Sequence, residues 1–194
     1  MELPFASMFI LKIFLLCLLS ITTNSKPTNN NNNKLISDIC PKTKNPTLCF
    51  DILSLDKKTR LASSLHTLGL GSLGIAIPQA NMSVSLFSRA YNKRYISVNE
   101  KEKYKGCLGN YTMAGRKLGE AKKGWIVYNY ALARKNIKDA HKVPISCQRE
   151  LVGAPSPIAR QRVNEMPDIA FDIPFVIVNE LEGGSKFDQG FLHA

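Results

Sequence analysis

The residues with the most definite chemistry are the cysteines, at positions 17, 40, 49, 107 and 147. None forms a CxxC pair, so their spacing suggests neither a zinc site nor a redox centre. Cys17 falls inside an apolar N-terminal run. The remaining Cys40, Cys49, Cys107 and Cys147 make an even set, which in an exported chain predicts two disulfides. Four cysteines admit three connectivities. Proximity favours a short Cys40–Cys49 loop, with Cys107–Cys147 closing the longer one.

Other combinations of reactive letters do not assemble into a site. Residues 69–74 (GLGSLG) spell GxGxxG. The dinucleotide fingerprint needs a preceding strand and an acidic residue about 20 positions on. Here the upstream residues have helical spacing and residues 89–94 read RAYNKR, so close packing of one helix against a neighbour is the better reason for the small residues. His66, His141 and His193 have no second ligand three or four positions on. Ser72 lacks the glycine two positions earlier that a nucleophile elbow requires. Asp168 and Asp172 are helix-spaced and are expected to face solvent. The expectation is therefore a protein with no catalytic residue, no metal ligand and no cofactor, acting by binding. Two sequons, Asn81-Met82-Ser83 and Asn110-Tyr111-Thr112, make Asn81 and Asn110 glycosylation candidates; Asn45-Pro46-Thr47 is blocked by its proline.

The compartment is read from residues 9–21, FILKIFLLCLLSI, which are apolar apart from Lys12 and Ser20 and are followed by small and polar residues. The run is too short to span a bilayer comfortably and reads as the core of a secretory signal peptide over residues 1–25. Residues 26–33 (KPTNNNNN) read as an Asn-rich linker. No later stretch is apolar for long enough to cross a membrane, so no membrane association is expected once the leader is removed. The 44% hydrophobic content is that of a packed domain rather than a disordered chain. The net charge of +11 favours polyanions; export argues against nucleic acid and for acidic polysaccharide or an acidic protein face.

The elements that must position these residues read as helices throughout. Leu35, Ile36, Ile39 and Cys40 share one face of a short helix, residues 41–46 form a turn, and Thr47 is the expected cap of a second helix over 48–55. A long stripe follows over 58–92: Leu61, Leu65, Leu68, then Leu73, Ile77, Ala80, Val84, Phe87 and Tyr91, with Pro78 expected to kink it. Tyr104, Cys107, Tyr111, Ala114, Leu118 and Ala121 make the cleanest stripe; Ser97 and Glu100 form a capping box before it, and Gly124 is the expected stop. Tyr130, Ala133, Ile137, Ala140, Cys147 and Leu151 form the third stripe, with Pro144 in the missing position. Val163, Met166, Ala170, Ile173 and Ile177 form the fourth, which Pro167 and Pro174 should bend or split; residues 173–178 have an edge strand as their alternative reading. Gly183-Gly184 is the expected end, with a flexible tail over 183–194. The fold class predicted is all-α: an antiparallel four-helix bundle over residues 34–182, preceded by a short N-terminal helical hairpin and carrying two disulfides.

The segment Ile39-Cys40-Pro41-Lys42-Thr43-Lys44-Asn45-Pro46, followed by Leu48-Cys49, resembles the opening signature of the plant pectin methylesterase and invertase inhibitors. Residues 108–118 and Cys147-Gln148-Arg149-Glu150-Leu151 are similar to further stretches of that family, and the likeness spans about residues 34–182. The resemblance implies a stoichiometric inhibitor, secreted to the cell wall, whose bundle covers the target's active-site cleft. It implies pectin methylesterase as partner, with acid invertase the alternative. Invertase inhibition in the family uses a Pro-Lys-Phe segment ahead of the fourth cysteine; none occurs here, and the matching residues 127–132 read VYNYAL. A bundle without inhibitory activity, binding acidic pectin through its basic surface, is the reading from a different class. No individual partner-contact residue carries over from the resemblance.

Overall fold

A computed structural model describes the backbone of residues 34–153 and 157–189 and the side chains of 34–153 and 164–183. The expected leader (1–25), the Asn-rich linker (26–33), Cys17 and His193 lie outside the described residues.

The described residues form helices: α1 (Lys34–Ile39), a 3₁₀ turn (Cys40–Lys42), α2 (Pro46–Leu55), α3 (Lys57–Arg60), α4 (Leu65–Tyr91), α5 (Val98–Ile126), α6 (Tyr130–His141), α7 (Val143–Glu150) and α8 (Pro157–Gln189). Helix α4 packs on α5, α5 on α6, α6 on α8 and α8 back on α4, which closes a four-helix ring in which α6 and α7 together serve as the third member. Short connections make sequential neighbours antiparallel. The hairpin of α1 and α2 lies against α8, and α3 packs on α4.

Local chemistry accounts for the helix starts. Asn45 caps α2 by accepting from the Leu48 N–H, with Pro46 in the first turn. Thr47 was the expected cap; Pro46 needs no N–H partner at that position, so the helix starts earlier. The long stripe expected from residue 58 is two helices, because the reciprocal Ser64–Thr67 capping box starts α4 afresh and leaves Leu61 66% exposed. Ser97 and Glu100 form the expected box on α5.

All six residues of the α5 stripe are buried, and Ala133, Ile137, Ala140, Pro144, Cys147 and Leu151 are buried across α6, α7 and the turn after it. On α4 the buried line is Leu68, Gly69, Gly71, Ser72, Leu73, Ala76, Ala80, Ser83 and Phe87, so Ile77, Val84 and Tyr91 sit at its margin rather than its centre. Pro78 does not interrupt α4, and Pro167 and Pro174 do not split α8, because packing on both sides holds the helix past each missing bond. Residues 173–178 are helical, not a strand, with Ile173, Ile177 and Val178 in the core. The helix also runs through Gly183 and Gly184; a glycine pair weakens a helix but ends it only with a left-handed cap.

The glycines of the 69–74 motif lie inside α4 and have separate roles. A methyl at Gly69 would overlap the Trp125 ring, and one at Gly71 would meet the Thr59 methyl at 2.7 Å. Thr59 cannot move aside, since its hydroxyl donates to the Leu53 and Asp56 carbonyls. A methyl at Gly74 would touch nothing within 4 Å. Gly74→Ala is therefore expected to stabilise by up to about 1 kcal/mol, whereas Gly71→Ala destabilises by about 1–3 kcal/mol. Urea midpoints of the two variants, shifted in opposite directions, are the check.

Candidate interaction surface

Among the described residues no group of three or more His, Cys, Asp or Glu side chains could hold a metal ion. What the residues build instead is a stapled scaffold. Cys40 pairs with Cys49 across the hairpin and Cys107 with Cys147 between α5 and α7, with Cα separations of 5.5 and 5.1 Å, inside the usual disulfide range. All four cysteines are fully buried.

Asp168 and Asp172, expected in solvent, are a clamp. Asp172 is buried; it accepts the Lys44 backbone N–H at 2.8 Å and lies 2.8 Å from His141 Nε2. Asp168 takes the Lys44 ammonium at 2.6 Å. The His141 ring stacks on Phe175. Hairpin, α6 and α8 thus meet on one carboxylate. Asp172→Ala leaves a backbone N–H and a half-buried imidazole without their acceptor, and is expected to cost about 2–3 kcal/mol; Asp172→Asn, which keeps one acceptor oxygen, costs less. Thermal unfolding of the two variants distinguishes them.

Of the tyrosines on the stripes, Tyr104 and Tyr111 are core. The Tyr111 hydroxyl bonds Asn164 Oδ1 at 3.0 Å, and burial pushes its phenol well above the usual range. Tyr128 lies in the turn between α5 and α6, and Tyr130 opens α6. That turn is a Schellman cap: Asn129 N–H donates to the Gly124 carbonyl and Tyr128 N–H to Trp125. Helix α5 therefore ends two residues beyond the glycine expected to stop it. Tyr128 takes the left-handed position, φ 59°, that glycine usually fills. Its ring stacks on His66 with centroids 4.4 Å apart, and His66 Nδ1 bonds the Tyr130 hydroxyl at 2.9 Å. Burial, and secondarily the neighbouring Tyr128, raise the Tyr130 pKa. Ile126, Val127, Tyr128 and Leu132 are all exposed around this turn, an apolar patch at one end of the bundle.

The two disulfides and the buried clamp make this bundle a rigid scaffold with an exposed apolar end. The family model of the plant invertase/pectin methylesterase inhibitors matches residues 34–173, most of the chain. The chain belongs to that family.

Within it, the chain is similar to a pectinesterase inhibitor of Actinidia deliciosa, 29% identical over 180 residues that cover 92% of this chain and 95% of that protein. Its fold is that of two solved pectin methylesterase inhibitor structures. A mutant form from Arabidopsis is 21% identical with a TM-score of 0.66, over 74% of this chain and 95% of that one. A second, from Arabidopsis thaliana, is 19% identical with a TM-score of 0.57, over 76% and 96%. Both likenesses concern the fold.

For a member of the inhibitor family, the sequons have unequal surroundings. Asn81 is exposed on α4, whereas Asn110 is half-buried and donates from Nδ2 to Glu150 at 3.1 Å. Sequence reasoning missed the clamp on Asp172 and the His66–Tyr128 stack. Both join residues remote along the chain, and no local pattern marks them.

Proposed function

We propose that this protein is a secreted inhibitor of pectin methylesterase that occludes the enzyme's active-site cleft in a one-to-one, non-covalent complex, and is not itself an enzyme. The observation that carries the reading is the near end-to-end similarity to a pectinesterase inhibitor. The stapled bundle supports it physically. Occlusion needs a rigid surface of standard size, about 800 Å² per partner, and rigidity before binding reduces the ordering cost of association. The acid invertase alternative is weakened by the VYNYAL sequence where that activity uses Pro-Lys-Phe. Secretion to the cell wall follows from the N-terminal leader reading and the kind of enzyme met there. Asn81, the exposed sequon, is the better placed glycan site of the two.

Titrating the oxidised protein against a plant pectin methylesterase, with an acid invertase in parallel, tests the proposal. Loss of esterase activity that saturates near one equivalent is expected, with invertase unaffected. An unaffected esterase, across several isoforms and pH values, from protein shown to be helical and disulfide-bonded, overturns it.

A further inference from the structure

A groove of about 400 Å³ opens between the turn after α3, the first turns of α4, and α5. Its volume is that of a small-ligand site. Lys58 and Lys122 line it, and no acidic residue does. Lys58 is exposed and Lys122 half-buried, and neither joins an ion pair among the described residues; the α5 carboxylate nearest in sequence, Glu120, pairs with Arg116 and Lys117. A half-buried ammonium without a counter-charge favours an anion beside it.

The other walls narrow the anion's chemistry. Leu61 and Leu70 supply apolar surface and Ser63 a hydroxyl. Gly74, also in the lining, adds no side chain to this wall. Two cations, a hydroxyl and two leucines suit a ligand that combines carboxylates, hydroxyls and apolar ring faces. Inorganic phosphate would use the lysines and the Ser63 hydroxyl but leave Leu61 and Leu70 uncovered.

We propose that this groove binds an acidic oligosaccharide of the uronate class, with carboxylates on Lys58 and Lys122 and an apolar ring face on Leu61 and Leu70. That the sugar is de-esterified pectin rests on the inhibitor reading. Hydrolysis of a pectin ester leaves a carboxylate on the polymer, so the groove would hold the inhibitor on the product of the enzyme it restrains.

The test is calorimetric titration of the oxidised protein with oligogalacturonate, with its fully methyl-esterified counterpart, and with inorganic phosphate. Oligogalacturonate is expected to bind and the other two to bind at least about tenfold more weakly. K58Q/K122Q should lose about tenfold or more in affinity, while K135Q/K138Q, with the same charge removed from exposed positions on α6, should lose little. G74L, whose side chain would enter the groove from a position with free space, should block binding while the helix content is kept. Equal losses in the two lysine pairs, unchanged binding by folded G74L, or equal binding of the esterified oligomer would overturn the site. Because no enzyme is present, this outcome is independent of the inhibition assay: binding without inhibition retains the groove and removes the inhibitor reading, and inhibition without binding does the reverse.

Discussion

Removal of the Cys107–Cys147 bridge by the double substitution C107A/C147A is expected to lower stability by about 4 kcal/mol. The bridge closes a loop of 40 residues, and the chain-entropy relation for that length gives a penalty of this size. The hairpin bridge spans only 9 residues, for which the same relation gives about 2.5 kcal/mol, so C40A/C49A should be the milder variant. The order also follows from position. Cys107 and Cys147 join α5 to the helix that completes the third member of the ring, whereas Cys40 and Cys49 fasten a peripheral hairpin. Urea unfolding of both double variants, with the slope compared as well as the midpoint, measures the difference. Equal losses would mean that the loop-length argument does not govern these bridges. Inhibition should decline with the folded fraction; inhibition that survives full reduction would show that the staples do not maintain the binding surface.

Trp125→Ala should cost about 3–5 kcal/mol, the range for deleting a large buried aromatic side chain. Trp125 is fully buried at the end of α5. Its Nε1–H donates to the His66 carbonyl at 3.0 Å and its ring meets Tyr130 edge-on at 5.5 Å. The ring lies over Gly69, where a Cβ would overlap its six-membered part. Gly69→Ala alone is accordingly expected to destabilise by about 1–3 kcal/mol through overpacking. The two substitutions should couple: with the indole gone, the alanine methyl has room, and W125A/G69A should be more stable than the sum of the singles by about 1 kcal/mol or more. A double-mutant cycle from thermal or urea unfolding gives the coupling. Additivity would mean that the closeness of Gly69 to Trp125 carries no energetic weight.

These residues also show how far the sequence could be read. The α5 stripe was legible in full, because an unbroken period with one capping box leaves one helix and one buried face consistent with it. The α4 stripe was legible only in outline. Its start depends on the Ser64–Thr67 box rather than on the apolar spacing, and two glycines, Gly69 and Gly71, are part of its buried line where a hydrophobic residue would be sought. Asp172 was misread because its spacing from Asp168 is that of a solvated helix face, while its partners Lys44 and His141 lie 128 and 31 positions away. Tyr128 gave no local sign of its left-handed backbone, since glycine, not tyrosine, is the residue that usually announces it.

By itself, the sequence determined the helical class, the α5 cap, the number of paired cysteines and the family likeness, all of which rest on composition, motifs or interactions within a few residues of the chain. The tertiary structure decided which proline bends were absorbed, which glycines admit a neighbour and which leaves a groove, which acids are buried, and that Cys107 meets Cys147. Those outcomes depend on surfaces brought together by packing. A residue's own neighbours fix its helical phase, but the free energy of burying a charge, omitting a side chain or closing a long loop is set by what arrives from the other side of the core.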